Sequence, residues 1–168
     1  MRTLSDDAAA RAALRANAGR ILDYLARRVD NPEDAADLFG DAYLVAWRKR
    51  RSMPADEEGA RKWLYVVARN TLLNHYRSTR RRSALTASLR RELTRTSDVA
   101  PPTDEPIEIR EAIASLPAAQ AELVRLVHWD GLTLVDAAEV MGIGASTARS
   151  RYAAAKQNLR RALAVTAR

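Results

Sequence analysis

The chain has 168 residues, 28 Lys plus Arg against 21 Asp plus Glu, a net charge of +7 and no cysteine. That size allows one ordinary domain or two small helical ones, and the basic balance points to a polyanionic partner. The lack of cysteine excludes a disulfide framework, a thiolate nucleophile and a thiolate zinc site, while two histidines leave little for a metal enzyme. No apolar run approaches the ~18 residues of a membrane span, and the start, MRTLSDDAAARAALR, lacks the apolar stretch of a secretory signal. The expectation is a cytoplasmic protein without membrane insertion.

Arginine outnumbers lysine 25 to 3, which codon bias alone could produce, so the position of the charges carries more than their number. Asp30 to Asp41 holds five acids and no base; Arg61 to Arg82 holds seven bases and no acid; Val140 to the end holds six bases and no acid. Alternating blocks of sign suit surfaces that meet different partners.

In chain order, Ile21, Leu22, Leu25 and Val29 form the first helical stripe. Asn31-Pro32-Glu33-Asp34 then opens a second helix, with Asn as cap, Pro in the first turn and acids facing the helix dipole; it is expected to reach about Arg51. Ser52 to Gly59 reads as a loop broken by Pro54, and a third helix is predicted from about Ala60 to Arg82. Its stripe is Leu64, Val67, Ala68, Thr71, Leu72 and His75, where His75 reads as a packed histidine. Leu85, Leu89 and Leu93 form a further apolar stripe, either an extension packing on this domain or a face for a partner.

Thr96 to Pro106, TSDVAPPTDEP, has the composition of a linker. Beyond it Ile109, Ile113 and Leu116 end a helix before Pro117. The next helix covers Ala118 to Trp129, with Leu123, Leu126 and Val127 inward and His128 in its C-terminal turn, and Asp130-Gly131 turns the chain. Thr133 and Asp136 resemble a capping box for a short helix ending at Gly142. The last helix starts near Ser146, with Ala148, Tyr152, Ala155, Leu159 and Leu163 as its buried face. The fold class expected is all-α: two small helical domains, 1–95 and 107–168, joined by a flexible linker over 96–106.

Two faces carry chemistry. Ala138, Gly142 and Ala148 have helix-turn-helix spacing: a small residue at the helix crossing, a glycine where the turn needs positive φ, and a small residue on the second helix. Burying 148, 152, 155 and 159 turns Ser146, Thr147, Arg149, Ser150, Ala153 and Lys156 outward, hydroxyls and cations suited to base edges and phosphates; Arg151 joins the set. A helical hairpin with a solvated basic face would share that pattern. On the third helix, Lys62, Tyr65, Arg69, Tyr76, Arg77 and Arg80 share one flank, and Trp63, Asn70, Asn74 and Arg81 another. Rings stack on unpaired bases, amides read base edges and arginines hold the backbone. The competing account makes Trp63 and Tyr76 core residues and Arg80 to Arg82 a favourable helix end.

Three segments, DLFGDAYLVAW (Asp37–Trp47), WLYVVARNTLLNHYR (Trp63–Arg77) and GLTLVDAAEVMGIGASTARSRYAAAKQNLRRAL (Gly131–Leu163), resemble bacterial RNA polymerase sigma factors of the extracytoplasmic-function (ECF) group. The resemblance covers about Asn17 to Leu163 in the right order. It implies a sigma region 2-like domain and a region 4-like domain. Asp37, Leu38, Asp41, Leu44 and Trp47 would dock on the clamp helices of core RNA polymerase. The helix from Trp63 would recognise the minus-ten element, with the Ser52–Gly59 loop capturing a flipped-out base and Asn70 at the amide position associated with that pocket. The Ser146–Lys156 helix would read the minus-thirty-five element. Partners implied are core polymerase, promoter DNA as duplex and as melted non-template strand, and an anti-sigma factor; no cofactor, metal or catalytic residue is implied.

This chain departs from the family pattern at Gly40 and Val45, where a polar Gln and a basic residue are usual, and at Ala153 and Ala154, where His and Arg are frequent. A mid-helix glycine costs up to ~1 kcal/mol relative to alanine. The capture loop is also acidic, at Asp56, Glu57 and Glu58. Two other functions share parts of the pattern. A stand-alone helix-turn-helix regulator explains only the last domain. A recombinase-like enzyme would need a nucleophile or carboxylate pocket, for which Asp56-Glu57-Glu58 is the best cluster and a solvated loop the simpler account.

Overall fold

A computed structural model describes the backbone of residues 2–90 and 106–166, and the side chains of 7–82 and 106–164. The chain divides into two units, Met1–Pro102 and Thr103–Arg168. The first contains α1 (Arg2–Ala26), α2 (Pro32–Arg48) and α3 (Glu57–Arg90), with a 3₁₀ turn at Arg50–Ser52; the second contains α4 (Ile107–Ala114), α5 (Ala118–His128), α6 (Leu134–Met141) and α7 (Ala145–Thr166). No strand occurs among the described residues, as the lack of alternating hydrophobicity predicts. The expected linker lies outside the described residues apart from Pro106, and so do the side chains of the Leu85, Leu89 and Leu93 stripe.

In the first unit the three helices pack pairwise. α1 is far longer than its C-terminal stripe suggests, because alanines between Ala8 and Ala18 sustain the helix and Ala10 and Leu14 extend the buried face. Ile21 and Leu25 are buried and Val29 beyond the helix end is too, whereas Leu22 faces out. The centre of the unit is an edge-on aromatic pair, Tyr24 and Tyr65, with ring centroids 5.5 Å apart at 80°. Around it α2 contributes Ala35, Leu38, Ala42 and Ala46, and α3 contributes Leu64, Ala68 and Leu72.

The start of α2 follows the sequence grammar. The Asn31 Oδ1 accepts from the Asp34 backbone N–H at 2.7 Å, and Pro32 occupies the first turn. The helix stops at Arg48, earlier than expected, where the chain tightens into the 3₁₀ turn. α3 starts three residues before the predicted Ala60, and the acidic run is therefore a helix start instead of a loop. Asp56 caps it: the Gly59 N–H donates to its Oδ1 at 2.6 Å and the Ala60 N–H to its carbonyl at 2.9 Å. Glu57 and Glu58 then face the positive end of the helix dipole. A Cβ at Gly59 would sit 2.7 Å from Asp56 Oδ2 and 2.8 Å from Pro54 Cβ, so the glycine is set by close approach to the cap.

The second unit is built on α7, against which α4, α5 and α6 all pack. Ile113, Leu116, Ala121, Val124 and Ala155 form a buried cluster, with Trp129, Tyr152 and Leu159 against it. Thr133 caps α6, its Oγ1 accepting from the Asp136 N–H at 3.1 Å. The Asp136 carboxylate accepts from the Thr133 hydroxyl at 2.7 Å, so the two capping side chains also bond each other. Gly142 ends α6 with φ +67° and Gly131 turns the chain at φ +68°. At α7's far end Leu163 is exposed, contrary to its expected place on the buried face, because α7 has outrun its partners there.

Candidate nucleic-acid interface

On α7, Ala148 and Ala155 are fully buried and Ala138 of α6 nearly so. Small residues bring the two helices together, and the left-handed Gly142 sets their turn. Ser146, Thr147, Arg149, Ser150, Arg151 and Lys156 all emerge on solvent-exposed positions. The rear of this helix is tied down. Tyr152 Oη lies 2.7 Å from His128 Nε2, the rings stack at 6.0 Å, and Asn158 Nδ2 donates to Gln120 Oε1 at 2.9 Å. The Lys156 ammonium sits 5.0 Å from the Tyr152 ring centroid, a cation–π contact that holds its stem along the helix.

On α3 the two flanks read from the sequence merge into one broad face. Asn70, Asn74, Arg77, Arg80 and Arg81 are exposed, Lys62, Trp63 and Arg69 are half-buried beside them, and Arg77 Nη1 donates to Asn74 Oδ1 at 3.3 Å. Tyr65 is the exception. It is 1% exposed, its ring packed edge-on against Tyr24, and cannot present a stacking surface without opening the core. Tyr76 is 38% exposed, but its hydroxyl donates to the Arg28 carbonyl and so ties α3 to the end of α1. Arg28 in turn lies 3.7 Å over the Tyr24 ring and donates to the Tyr24 carbonyl at 2.9 Å. The aromatic signal on α3 thus divides between core, tie and face.

Both helices lie in segments that match known families. Residues 13–82 match Sigma-70 region 2 and residues 107–159 match Sigma-70 region 4. The chain is 33% identical over 145 residues to the ECF RNA polymerase sigma factor SigF of Caulobacter vibrioides, covering 86% of this chain and 79% of that protein. It is 36% identical over 126 residues to the ECF RNA polymerase sigma factor SigC of Mycobacterium tuberculosis, covering 74% and 68%. The chain belongs to the ECF sigma factors. It is a promoter-directing factor, and its family is one of non-catalytic transcription initiation factors. The fold agrees with two solved structures: the sigma factor RpoE from Bartonella quintana, in complex with the anti-sigma factor NepR (TM-score 0.68, 22% identity, 92% of this chain and 96% of that one), and CnrH in complex with the cytosolic domain of CnrY (TM-score 0.64, 18%, 95% and 97%). A stand-alone helix-turn-helix regulator is not favoured, since it leaves the region 2 match without a role.

In this sigma factor α2 turns Asp37, Asp41 and Leu44 to solvent on successive turns, Leu44 being 53% exposed. Leu38, read as a docking residue, is 4% exposed and belongs to the core, one helical step round from Asp37. Trp47 is half-buried, and the guanidiniums of Arg11 and Arg50 lie 5.3 and 4.5 Å from its ring centroid. Its ring is therefore occupied within the chain. Gly40 is exposed, and a Cβ there would meet nothing within 4 Å.

Sequence reasoning missed a cleft of about 680 Å³ between α1 and the turn that leads into α3. Asp7, Ala13, Ala16 and Asn17 of α1 line one side, and Arg50, Arg51, Met53, Pro54, Ala55, Asp56 and Glu57 the other. Arg50 Nε lies 2.5 Å from Asp7 Oδ1, and its Nη1 donates to the Trp47 carbonyl at 3.0 Å. That guanidinium holds the Asp7 carboxyl below the usual carboxylate range, with Coulombic help from Arg50, Arg11 and Arg51 that outweighs desolvation. The only signal that could have found the cleft is the alanine-rich α1, whose small side chains leave the space. Among the described residues no helix is long and apolar enough to cross a membrane.

Proposed function

We propose that the two faces divide promoter recognition. The exposed α3 set, Lys62, Trp63, Arg69, Asn70, Asn74, Arg77, Arg80 and Arg81, engages the minus-ten element, with amides toward unpaired bases and arginines on the backbone. The α7 set, Ser146, Thr147, Arg149, Ser150, Arg151 and Lys156, enters the major groove at the minus-thirty-five element. Asp37, Asp41 and Leu44 dock on core RNA polymerase, the acids steering toward a basic surface and Leu44 supplying apolar contact. The Ser52–Gly59 segment, placed against the cleft, captures a base displaced from the stack.

One observation carries the reading: a single chain presents two acid-free helical faces, in separate units, with an acidic face on α2. Acid-free faces bind polyanions and an acidic one does not. The factor performs no chemistry; nucleotide addition belongs to the polymerase, in the cytoplasm. RpoE and CnrH were each solved with a partner, NepR and the cytosolic domain of CnrY, and an anti-sigma factor restrains this chain in the same manner.

Reconstitution tests the scheme. With core polymerase and a promoter recovered by sequencing the DNA that the holoenzyme retains, the protein should yield open complex and transcript, while binding to duplex alone stays weak. Asp37→Lys with Asp41→Lys should lower polymerase association by about tenfold or more, the scale of like-charge juxtaposition in an interface, with thermal unfolding unchanged. Tight, sequence-specific binding to duplex without polymerase would refute it.

A further inference from the structure

Tyr152 lies on α7 between the buried alanines Ala148 and Ala155, on the side of the helix that packs inward. Ala148, Ala155 and Leu159 make that side apolar, and a tyrosine there brings a hydroxyl that must find a partner at the edge of the core. It finds one outside the helix-turn-helix. Tyr152 Oη lies 2.7 Å from Nε2 of His128, which stands exposed in the last turn of α5, and the two rings stack at 22° with centroids 6.0 Å apart. The bond survives either histidine tautomer, since a tyrosine hydroxyl both donates and accepts. The body of the ring packs against the cluster of Ile113, Leu116, Ala121, Val124 and Ala155. Core contact on one side and His128 at the hydroxyl leave the ring a fixed platform.

That platform carries a cation. The Lys156 ammonium, one turn further along α7, sits 5.0 Å from the ring centroid while the side chain stays exposed. Arg149, exposed one turn before Tyr152, falls on the same strip, because positions 149, 152 and 156 are spaced i, i+3, i+7. The strip therefore runs cation, ring, cation along the flank of the face proposed to meet DNA. A free lysine is a flexible stem that loses rotamer freedom when a phosphate fixes it, whereas one held over a rigid ring has lost part of that freedom already. The ring covers only one side of the ammonium, so N–H donors remain for phosphate oxygens. α5 also holds α7 further on, where Asn158 Nδ2 donates to Gln120 Oε1 at 2.9 Å, but that tie joins two neutral side chains.

We propose that His128 is a positioning residue for minus-thirty-five recognition: by fixing the Tyr152 ring it pre-places the Lys156 ammonium for a backbone phosphate. A residue of α5, outside the two helices that make the helix-turn-helix, thus sets part of the affinity of the reading helix. The inference rests on the assignment of α7 to the minus-thirty-five element and adds to it the means by which one phosphate contact is ordered.

The test uses the full chain assembled with core polymerase, with binding to promoter DNA measured over a range of salt. His128→Phe keeps a stacked ring and removes the bond; it should weaken binding by about two- to fivefold, the scale of an exposed cation–π contact. Tyr152→Phe removes the same bond from the other side and should weaken binding by the same factor. Lys156→Met should weaken binding and lower the salt slope by about 1. Combined with Lys156→Met, the His128→Phe factor should vanish, since it acts through that ammonium. Gln120→Leu, which cuts the neutral tie, is the structural comparison: any loss it causes should be equal with and without Lys156→Met. Wild-type binding by His128→Phe, or a His128→Phe factor that persists undiminished beside Lys156→Met, overturns the positioning role. Unchanged binding and salt slope in Lys156→Met overturns the phosphate contact of α7 itself, and this inference with it.

Discussion

The two helices proposed to face DNA, α3 and α7, reach similar surfaces by different means. In the second unit the geometry of α7 comes from small residues at set spacing: Ala138 and Ala148 let the helices touch, and Gly142 supplies the left-handed turn. Each of those residues has one local job, so the outward set follows almost by subtraction. In the first unit the α3 face comes from what the core withdraws. Tyr65 goes inward to Tyr24, Tyr76 is tied to Arg28, and the amides and arginines are what remains. A polar side chain on a helix shows its face directly, whereas an aromatic one suits core and ligand equally well.

The largest test of this contrast is Tyr65→Ala. Truncating a fully buried aromatic should cost the first unit about 3–5 kcal/mol, seen as an early unfolding transition in denaturant, while the second unit melts as before. Tyr65→Phe should fold and bind promoter DNA like the wild type; selective loss of minus-ten binding in that variant would restore Tyr65 to the DNA face.

The counterpart in the second unit is Gly142→Ala. Forcing a Cβ into the left-handed region should cost about 1–2 kcal/mol, since no clash opposes it beyond the backbone conformation itself. Minus-thirty-five duplex binding should fall with the fold, and minus-ten preferences should stay. A smaller effect of opposite sign is expected at Gly40→Ala, where the open helix surface lets alanine stabilise α2 by up to about 1 kcal/mol. If polymerase association also holds, the glycine has no role in docking; a drop in association at raised stability would show that the polymerase needs the bare backbone there.

The smallest effect concerns the Asp7–Arg50 pair. Asp7 has a folded-state pKa below its ordinary value of 3.8, so its contribution is present above that value and is lost as pH falls through the lowered one. Asp7→Asn should therefore lower the first unit's stability slightly at neutral pH, as the loss of a partly exposed pair does, and flatten its acid limb so that the two proteins converge below about pH 4. An identical acid limb in both proteins would remove the pair from any role in shaping the cleft.

Much of the architecture was legible in advance because its signals are local. The Asn31-Pro32 cap, the Thr133 cap, the αL glycines and the charge blocks each act over a few residues, and the structure places them as read. The misreadings have a common cause. The resemblance groups Leu38 with Asp37 and Asp41 although it lies one step round the helix; composition makes Asp56 to Glu58 a solvated loop although Asp56 caps α3 and Glu57 begins it; Leu163 continues a stripe past the end of its partners. In each case the deciding neighbour is supplied by another turn or another helix.

By itself, then, the sequence determined the helical class, the order of the elements, the separation of charge and the turn of the helix-turn-helix, since all depend on spacing along one chain. Tertiary structure alone decided which aromatics are core, that Trp47 lies under two arginines, and that Asn17 is buried beside a cleft. The reason is physical. Periodicity records which residues share a face of one helix, but burial and the satisfaction of a polar group depend on what the facing helix brings to within hydrogen-bond distance.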